Sequence, residues 1–362
     1  MLTTKTGSRL PRRKSNVQEQ ASKVGRAPRK AVGRSGPVTE ELTETGVPPV
    51  GTVRGLVIRA HGLWYEVLLM APGETDRVVL ATIRGQLKRL MRRTDIVAVG
   101  DYVHVTLLPE SEAVIEFVEQ RRGSLVRTAR NTRDTDQVIL ANPDQVLFVF
   151  ALHDPEPHLR MLDRFLILAE LQHLPIELAI GKMDLEGDDP VRSARTIFQD
   201  YERIYPVSYI SVLTGAGVEE LGSRLEGKMT VVAGPSGVGK SSLLNLLDPL
   251  NMRDVGVIST ATGKGRHTTV GARLHRIGTQ TFVGDTPGMR TLAMHAVPPE
   301  RLPSCYREFL PYLGECFYQD CTHIHEPACA VRTAQAAGDI PLTRYESYVA
   351  LRTGEEMDPG ER

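Results

Sequence analysis

A chain of 362 residues with 44 basic and 44 acidic side chains has room for two or three cores, and its zero net charge supplies no overall field that would draw it to a polyanion or a membrane surface. Only four cysteines occur, all between Cys305 and Cys329, which excludes a disulfide framework and points to a local metal site in a reducing compartment. No apolar run approaches the ~18 residues of a membrane span.

Charge is nevertheless unevenly placed. Residues 1–36 hold ten Lys or Arg and one acid, Glu19, with almost no large apolar side chains. Such a segment cannot bury a core and reads as a disordered basic arm, followed by a Pro- and Glu-bearing linker to residue 49. It lacks the apolar stretch of a secretory signal, although its composition also fits an Arg-rich organelle transit peptide.

From about residue 50 to 120, five short alternating runs (Gly55–Ile58, Trp64–Leu69, Val78–Thr82, Tyr102–Val105 and Ala113–Val118) predict a small all-β barrel, most simply an OB-fold. Between its third and fourth strands, Arg84 to Arg93 carries five basic residues. This run reads either as a phosphate-contacting rim or as a solvated loop. A second basic segment, Arg121 to Arg133, leads into the unbroken apolar run Gln145–Leu152, typical of a strand buried on both faces. Helical and strand periods then alternate: Leu159–Leu171, Ile176–Ile180, Val191–Tyr201, Tyr205–Ser211, Val218–Leu225 and Met229–Ala233. Repeated βα units of this kind predict a largely parallel, doubly wound α/β sheet over residues 121–292. Residues 293–362 are polar and helical in pattern and contain the cysteines.

The α/β segment carries the chemistry. Gly234-Pro235-Ser236-Gly237-Val238-Gly239-Lys240-Ser241 lies between a strand and a helix and fits G-x-x-x-x-G-K-[ST]. In that pattern the glycines let backbone N–H groups turn in around a phosphate chain. The Lys240 ammonium neutralises the outer phosphates, and the Ser241 hydroxyl is offered to Mg²⁺. Ser242 follows in the same helical turn. Asp285-Thr286-Pro287-Gly288 ends another strand, where a carboxylate can reach Mg²⁺ and the Gly288 N–H can sense the terminal phosphate. Between them, Gly263 to Val270 has the glycines and paired threonines of a switch segment. Thr269 or Thr268 would complete the Mg²⁺ shell, with Thr269 preferred.

Upstream, Gly181-Lys182-Met183-Asp184 resembles the guanine-reading Asn-Lys-x-Asp motif. Its carboxylate accepts from the two guanine N–H groups that adenine lacks. Gly181 stands where that motif has Asn, a loss worth about tenfold in affinity without a change of base. Ser211-Val212-Leu213 follows the next strand, in the manner of a Ser-Ala-x loop contacting the guanine oxygen through backbone. The base reader and this loop precede the phosphate loop, the reverse of the ordinary order, so the domain reads as circularly permuted. Further on, Cys316-x4-Cys321-x-His323-x5-Cys329 places four N/S ligands within fourteen residues and predicts one structural tetrahedral Zn²⁺. His325 competes with His323, and Cys305 lies too early to take part.

This succession after a small barrel closely resembles the ribosome small subunit-dependent GTPase A family, over about residues 50–350. The departures are Gly181 for Asn and Val212 for Ala. The resemblance implies an N-terminal OB-fold, a permuted GTPase core and a C-terminal zinc-binding domain. It also implies a GTP phosphohydrolase acting as a cytoplasmic monomer on the small ribosomal subunit and its rRNA, with GTP and Mg²⁺ as ligands. Met289, where a water-orienting Gln stands in Ras-type enzymes, cannot polarise water, and the resemblance gives that task to His267. Two rivals remain chemically distinct: an rRNA-binding assembly factor in which GTP is mainly a switch, and an ATP-using phosphate-loop enzyme.

Overall fold

The computed structural model describes residues 47–70, 77–84, 97–128, 136–247, 272–285 and 297–354. The basic arm, residues 85–93 of the basic loop, the switch segment with His267, Thr268 and Thr269, and the stretch 286–296 with Gly288 lie outside the described residues.

The first five strands are β1 (Val53–His61), β2 (Trp64–Leu69), β3 (Val78–Ile83), β4 (Tyr102–Leu107) and β5 (Glu112–Val118). They pair antiparallel as β1–β2, β2–β3, β4–β5 and β1–β4, and parallel as β3–β5. The β1–β4 pairing closes the ring, giving a five-stranded barrel of OB-like order with no free edge among these strands. Alternation along each strand turns Val57, Val67, Val79, Val103 and Ile115 inward to form its core. Several arginines of this region are paired with acids of its own, Arg54 with Glu119 at 2.6 Å among them. Arg84 pairs with Glu116 at 2.5 Å. Arg121 holds the fully buried Asp101 through two bonds of 2.7 Å.

A hairpin of β6 (Ser124–Thr128) and β7 (Asp136–Ala141) follows, where the sequence suggested only a basic connection. Its apolar residues fall in short runs (Leu125–Val126 and Val138–Ala141) with no alternation, and among the described side chains only Leu125 and its partner Leu140 are deeply buried along with Ala141. Periodicity alone therefore gives a weak signal.

The second half of the sheet comprises β8 (Gln145–Ala151), β9 (Ile176–Gly181), β10 (Val207–Tyr209), β11 (Met229–Ala233), β12 (Arg273–Gly278) and β13 (Thr281–Asp285). Spatial order is β10-β9-β8-β11-β13-β12, all parallel except β12. Every residue of β8 and β11 is buried, as expected of central strands covered on both faces. Helices α1 (Leu159–Leu171) and α2 (Ala194–Glu202) pack Leu162, Phe165, Leu166, Phe198 and Tyr201 on one face. Helices α3 (Val218–Leu225) and α4 (Lys240–Leu247) pack Val218, Leu221, Leu225, Leu243 and Leu244 on the other. Two elements differ from expectation. The helix expected from Val191 starts at Ala194, because the Ser193 hydroxyl caps it by accepting from the Thr196 N–H at 3.2 Å. The strand expected over Tyr205–Ser211 shrinks to three residues, since Ser211 is recruited into a turn.

One hydrogen-bonded sheet runs through both halves, because Arg59 of β1 pairs with Arg273 of β12. After β13 the described chain resumes as short 3-10 turns (Pro303–Cys305 and Arg307–Tyr312), then α5 (Ala330–Ala337) and α6 (Leu342–Thr353). Tyr306, Phe309 and Tyr348 interlock at its centre, with ring centroids 4.9–5.4 Å apart. This module is fastened to the α1–α2 face by charge. Arg344 of α6, 0% exposed, bonds Asp163 of α1 and, at 2.7 Å, Glu308, and its guanidinium lies 4.6 Å from the Tyr306 ring centre. The Tyr201 hydroxyl of α2 donates to the same Asp163 at 2.8 Å. No helix of the described residues is long and apolar enough to cross a membrane.

Candidate nucleotide and metal sites

The sequence bends into a cradle immediately after β11. Gly234 sits at φ 144°, and a Cβ there would lie 2.1 Å from the Val149 carbonyl oxygen of β8. Only glycine lets the chain turn so closely over the neighbouring strand. Gly237 and Gly239, at φ 81° and 94°, continue the turn to the first residue of α4. Lys240 Nζ folds back over this loop, donating to the carbonyls of Gly234 at 2.9 Å and Pro235 at 2.5 Å. Its ammonium thus stands at the loop, where the outer phosphates of a nucleotide are neutralised. Ser241 and Ser242 are exposed in the first turn of α4. Asp285 pairs in register with Val232 of β11, so the Asp-x-x-Gly motif starts one strand from the cradle.

Across from the loop, β9 ends in the base reader. Lys182 adopts a left-handed backbone (φ 60°), costing roughly 1–2 kcal/mol in a non-glycine residue. The next turn is held by the Met183 N–H bonded to the Ile210 carbonyl at 3.2 Å. Lys182 Nζ donates to the Asp154 carbonyl in the loop after β8. Asp184 is exposed and accepts at 2.5 Å from the hydroxyl of Ser211, which is itself buried. The Ser211 hydroxyl also accepts from the Thr214 N–H at 3.2 Å, and its carbonyl from Gly215 N–H at 2.8 Å. Ser211 therefore works from behind: it orients the Asp184 carboxylate and shapes the loop that presents Val212 and Leu213.

These parts enclose one cleft of about 490 Å³. Of the residues expected from sequence, Lys182, Asp184, Val212, Val238, Gly239 and Ser242 line it. Ser211 stands behind the wall; Gly234, Pro235, Ser236, Gly237, Lys240 and Ser241 form the loop beyond it. Val149, Gly181, Leu185, Ile210, Leu213 and Leu243 complete the lining. Leu213, 83% exposed, and Leu185 are large apolar side chains left bare at the mouth, suited to cover a planar ring. The apolar runs gave no sign of that task.

In the C-terminal module the expected ligands converge. Sγ of Cys316, Cys321 and Cys329 and a ring nitrogen of His323 all lie within 4.8 Å of one another. His323 Nδ1 is 3.5 Å from both Cys316 and Cys329 Sγ, and those sulfurs are 3.9 Å apart. Tetrahedral Zn–S bonds of ~2.3 Å put sulfurs roughly 3.8 Å apart, so the donor set fits that ion. Burial, with the sulfurs of Cys329 and Cys316 alongside, pushes the Cys321 thiol up to about 12. Burial lowers His323, which favours the neutral, ligating imidazole. A raised thiol of this kind is deprotonated most readily when a cation takes the place of its proton. The surrounding chain locks the knuckle: Tyr345 and Tyr348 hydroxyls donate to the His323 and Thr322 carbonyls at 2.8 and 2.7 Å. Glu326, despite the cost of its burial, is held well below the carboxylate range by bonds from Thr322, Ile324 and its own backbone. His325 is exposed and outside the cluster, and Cys305 is buried with its thiol on the Arg301 carbonyl at 3.3 Å. Stripping the metal with a chelator at neutral pH, or replacing Cys316 by serine, is expected to release about one zinc per chain. Protease cleavage should then open within 297–354 while the barrel stays intact; unchanged protection would remove the structural role.

A phosphate-loop motif and the Lys182–Asp184 strand end that share one cleft, with the latter earlier in the chain, define the architecture of a circularly permuted phosphate-loop protein. The RsgA GTPase family model matches residues 118–295. A small ribosomal subunit biogenesis GTPase RsgA from Gemmatimonas aurantiaca is 41% identical over 82% of this chain and 96% of its own length. The protein of that name from Thermotoga maritima is 36% identical over 82% and 95%. Among solved structures, YjeQ from Thermotoga maritima superposes with a TM-score of 0.68 at 34% identity, covering 84% of this chain and 98% of that one. YloQ, described as a circularly permuted GTPase, gives 0.66 at 28% identity over 84% and 95%. The chain belongs to the RsgA GTPase family.

Proposed function

We propose that this protein docks on the small ribosomal subunit and its rRNA and hydrolyses GTP to GDP and phosphate during late subunit maturation, acting as a cytoplasmic monomer. The observation that carries the nucleotide choice is Asp184, fixed by Ser211, facing the phosphate loop across a single cleft. A carboxylate there accepts from guanine N1–H and N2–H and meets an unpaired acceptor on adenine.

In the reaction, loop backbone N–H groups and Lys240 hold the phosphates, while Lys182 and the Val212–Leu213 loop hold the base. Ser241 and Asp285, with Thr269, are the hard-oxygen donors that would bind Mg²⁺, which when present neutralises charge on the transferring phosphoryl group. His267 orients the attacking water, and Gly288 senses the terminal phosphate. Catalysis is then positioning and electrostatics, and it is switched on by contact with rRNA. The zinc site is structural and shapes the third domain. Domain boundaries near residues 50, 120 and 292 follow from the same assignment.

Phosphate release measured with and without purified small subunits tests this directly. His267→Ala is expected to leave GTP binding within about twofold and to lower the subunit-stimulated rate by about 10²–10⁴-fold. A rate indifferent to subunits favours the alternative, a binding switch with incidental turnover.

A further inference from the structure

Gly181 lines the same cleft as Lys182 and Asp184 but contributes no side chain to it. The fold does not require this glycine. Its φ is not positive, and a Cβ there would meet only the carbonyl oxygens of Phe150 and Val238, both at 3.5 Å, an ordinary contact. Gly234, two strands of sequence later, is the opposite case. A side chain at 181 is thus sterically admitted and chemically absent.

The consequence falls on one edge of the base. With Asp184 accepting from N1–H and N2–H, and the Val212–Leu213 backbone facing O6, two ring acceptors remain, N3 beside the ribose and N7 on the same edge as O6. The described lining on the phosphate-loop side of Gly181 includes Val149, Val238 and Leu243, whose side chains donate nothing. Among the described lining residues Ser242 carries the single side-chain hydroxyl, and it sits in the first turn of α4, at the phosphate end.

Resting on the GTP assignment above, we infer that this chain does not read purine position 7. Its base specificity comes from N1–H, N2–H and O6 alone. The site therefore accepts guanine nucleotides altered at position 7, that is, 7-deazaguanine nucleotides with or without a small substituent there.

The full-length protein is titrated with GTP, 7-deaza-GTP, 7-methyl-7-deaza-GTP and ATP. GTP and 7-deaza-GTP are expected to bind within about twofold of each other, and the 7-methyl compound within a few-fold. Gly181→Asn places an amide beside the Val238 carbonyl and N7. It should tighten GTP by about tenfold, the yield of one added hydrogen bond, and create a preference for GTP over both 7-deaza compounds. Gly181→Ala, which fills space without a donor, should leave the GTP to 7-deaza-GTP ratio near one. A wild-type preference for GTP of tenfold or more means that another group reads N7 and overturns the inference, whatever the variants do. Weak binding of every guanine nucleotide, or ATP bound equally well, instead removes the GTP assignment and the inference with it.

Discussion

Asp184→Asn is expected to lower GTP affinity by roughly 10²–10⁴-fold, because two charge-assisted hydrogen bonds worth about 1.5–3 kcal/mol each are at stake. The structure says which way the new amide would turn. The Ser211 hydroxyl donates to Asp184 Oδ1 at 2.5 Å and also accepts from the Thr214 N–H. With one of the hydroxyl's two lone pairs already taken, the arrangement that keeps the Ser211 proton paired has the asparagine offering it oxygen. Its NH₂ group then faces the base. Guanine would present donors to a donor, whereas xanthine, with a carbonyl at C2, would present an acceptor. Xanthosine triphosphate should accordingly gain affinity as GTP loses it. Equilibrium titration of the variant with both nucleotides measures the exchange. If the variant still holds GTP as tightly as the parent, Asp184 is not the reader. The companion Ser211→Ala variant should weaken GTP more modestly, since it frees the carboxylate without removing it.

The largest effect on stability is expected at Arg344. Its side chain is 0% exposed, and its partners Asp163 and Glu308 are 2% and 5% exposed. Arg344→Ala would leave two carboxylates buried without a counter-charge, at a cost of about 3–5 kcal/mol. The loss is concentrated at one seam, because Asp163 belongs to α1 and Arg344 to α6. Tyr201 of α2 donates to the same carboxylate, and Thr343 reaches Asp200 at 2.8 Å. Chemical denaturation should show the C-terminal module melting at lower denaturant than the parallel sheet. A triple replacement, Arg344→Met with Asp163→Leu and Glu308→Leu, removes every buried charge of the set and should recover most of the loss. If the single variant melts like the parent, the pairs are not what seals this seam.

Much of this architecture was legible in the chain itself. Central strands announce themselves as unbroken apolar runs, the barrel as alternation, and the phosphate loop and zinc knuckle as spacings that few other chemistries need. Short-range signals of that kind survive because they are dictated by local geometry. What stayed hidden was relational. Nothing near Ser211 says that its hydroxyl serves Asp184, 27 residues upstream in the chain. Arg344 reads as one of many helix-surface arginines until Asp163, 181 residues away, is brought beneath it. The β6–β7 hairpin escaped because most of its positions are polar or half-buried, so its strands carry little alternation. Leu185 and Leu213 look like misplaced core residues; only the cleft gives them an occupation.

The rung between Arg59 and Arg273 carries a mechanical implication. β12 is the first described strand after residues 248–271 and leads by a tight turn into β13, which ends at Asp285. Because β12 is hydrogen-bonded to the barrel through β1 as well as to β13, a displacement of the barrel would be passed along the sheet toward the strand that ends at Asp285.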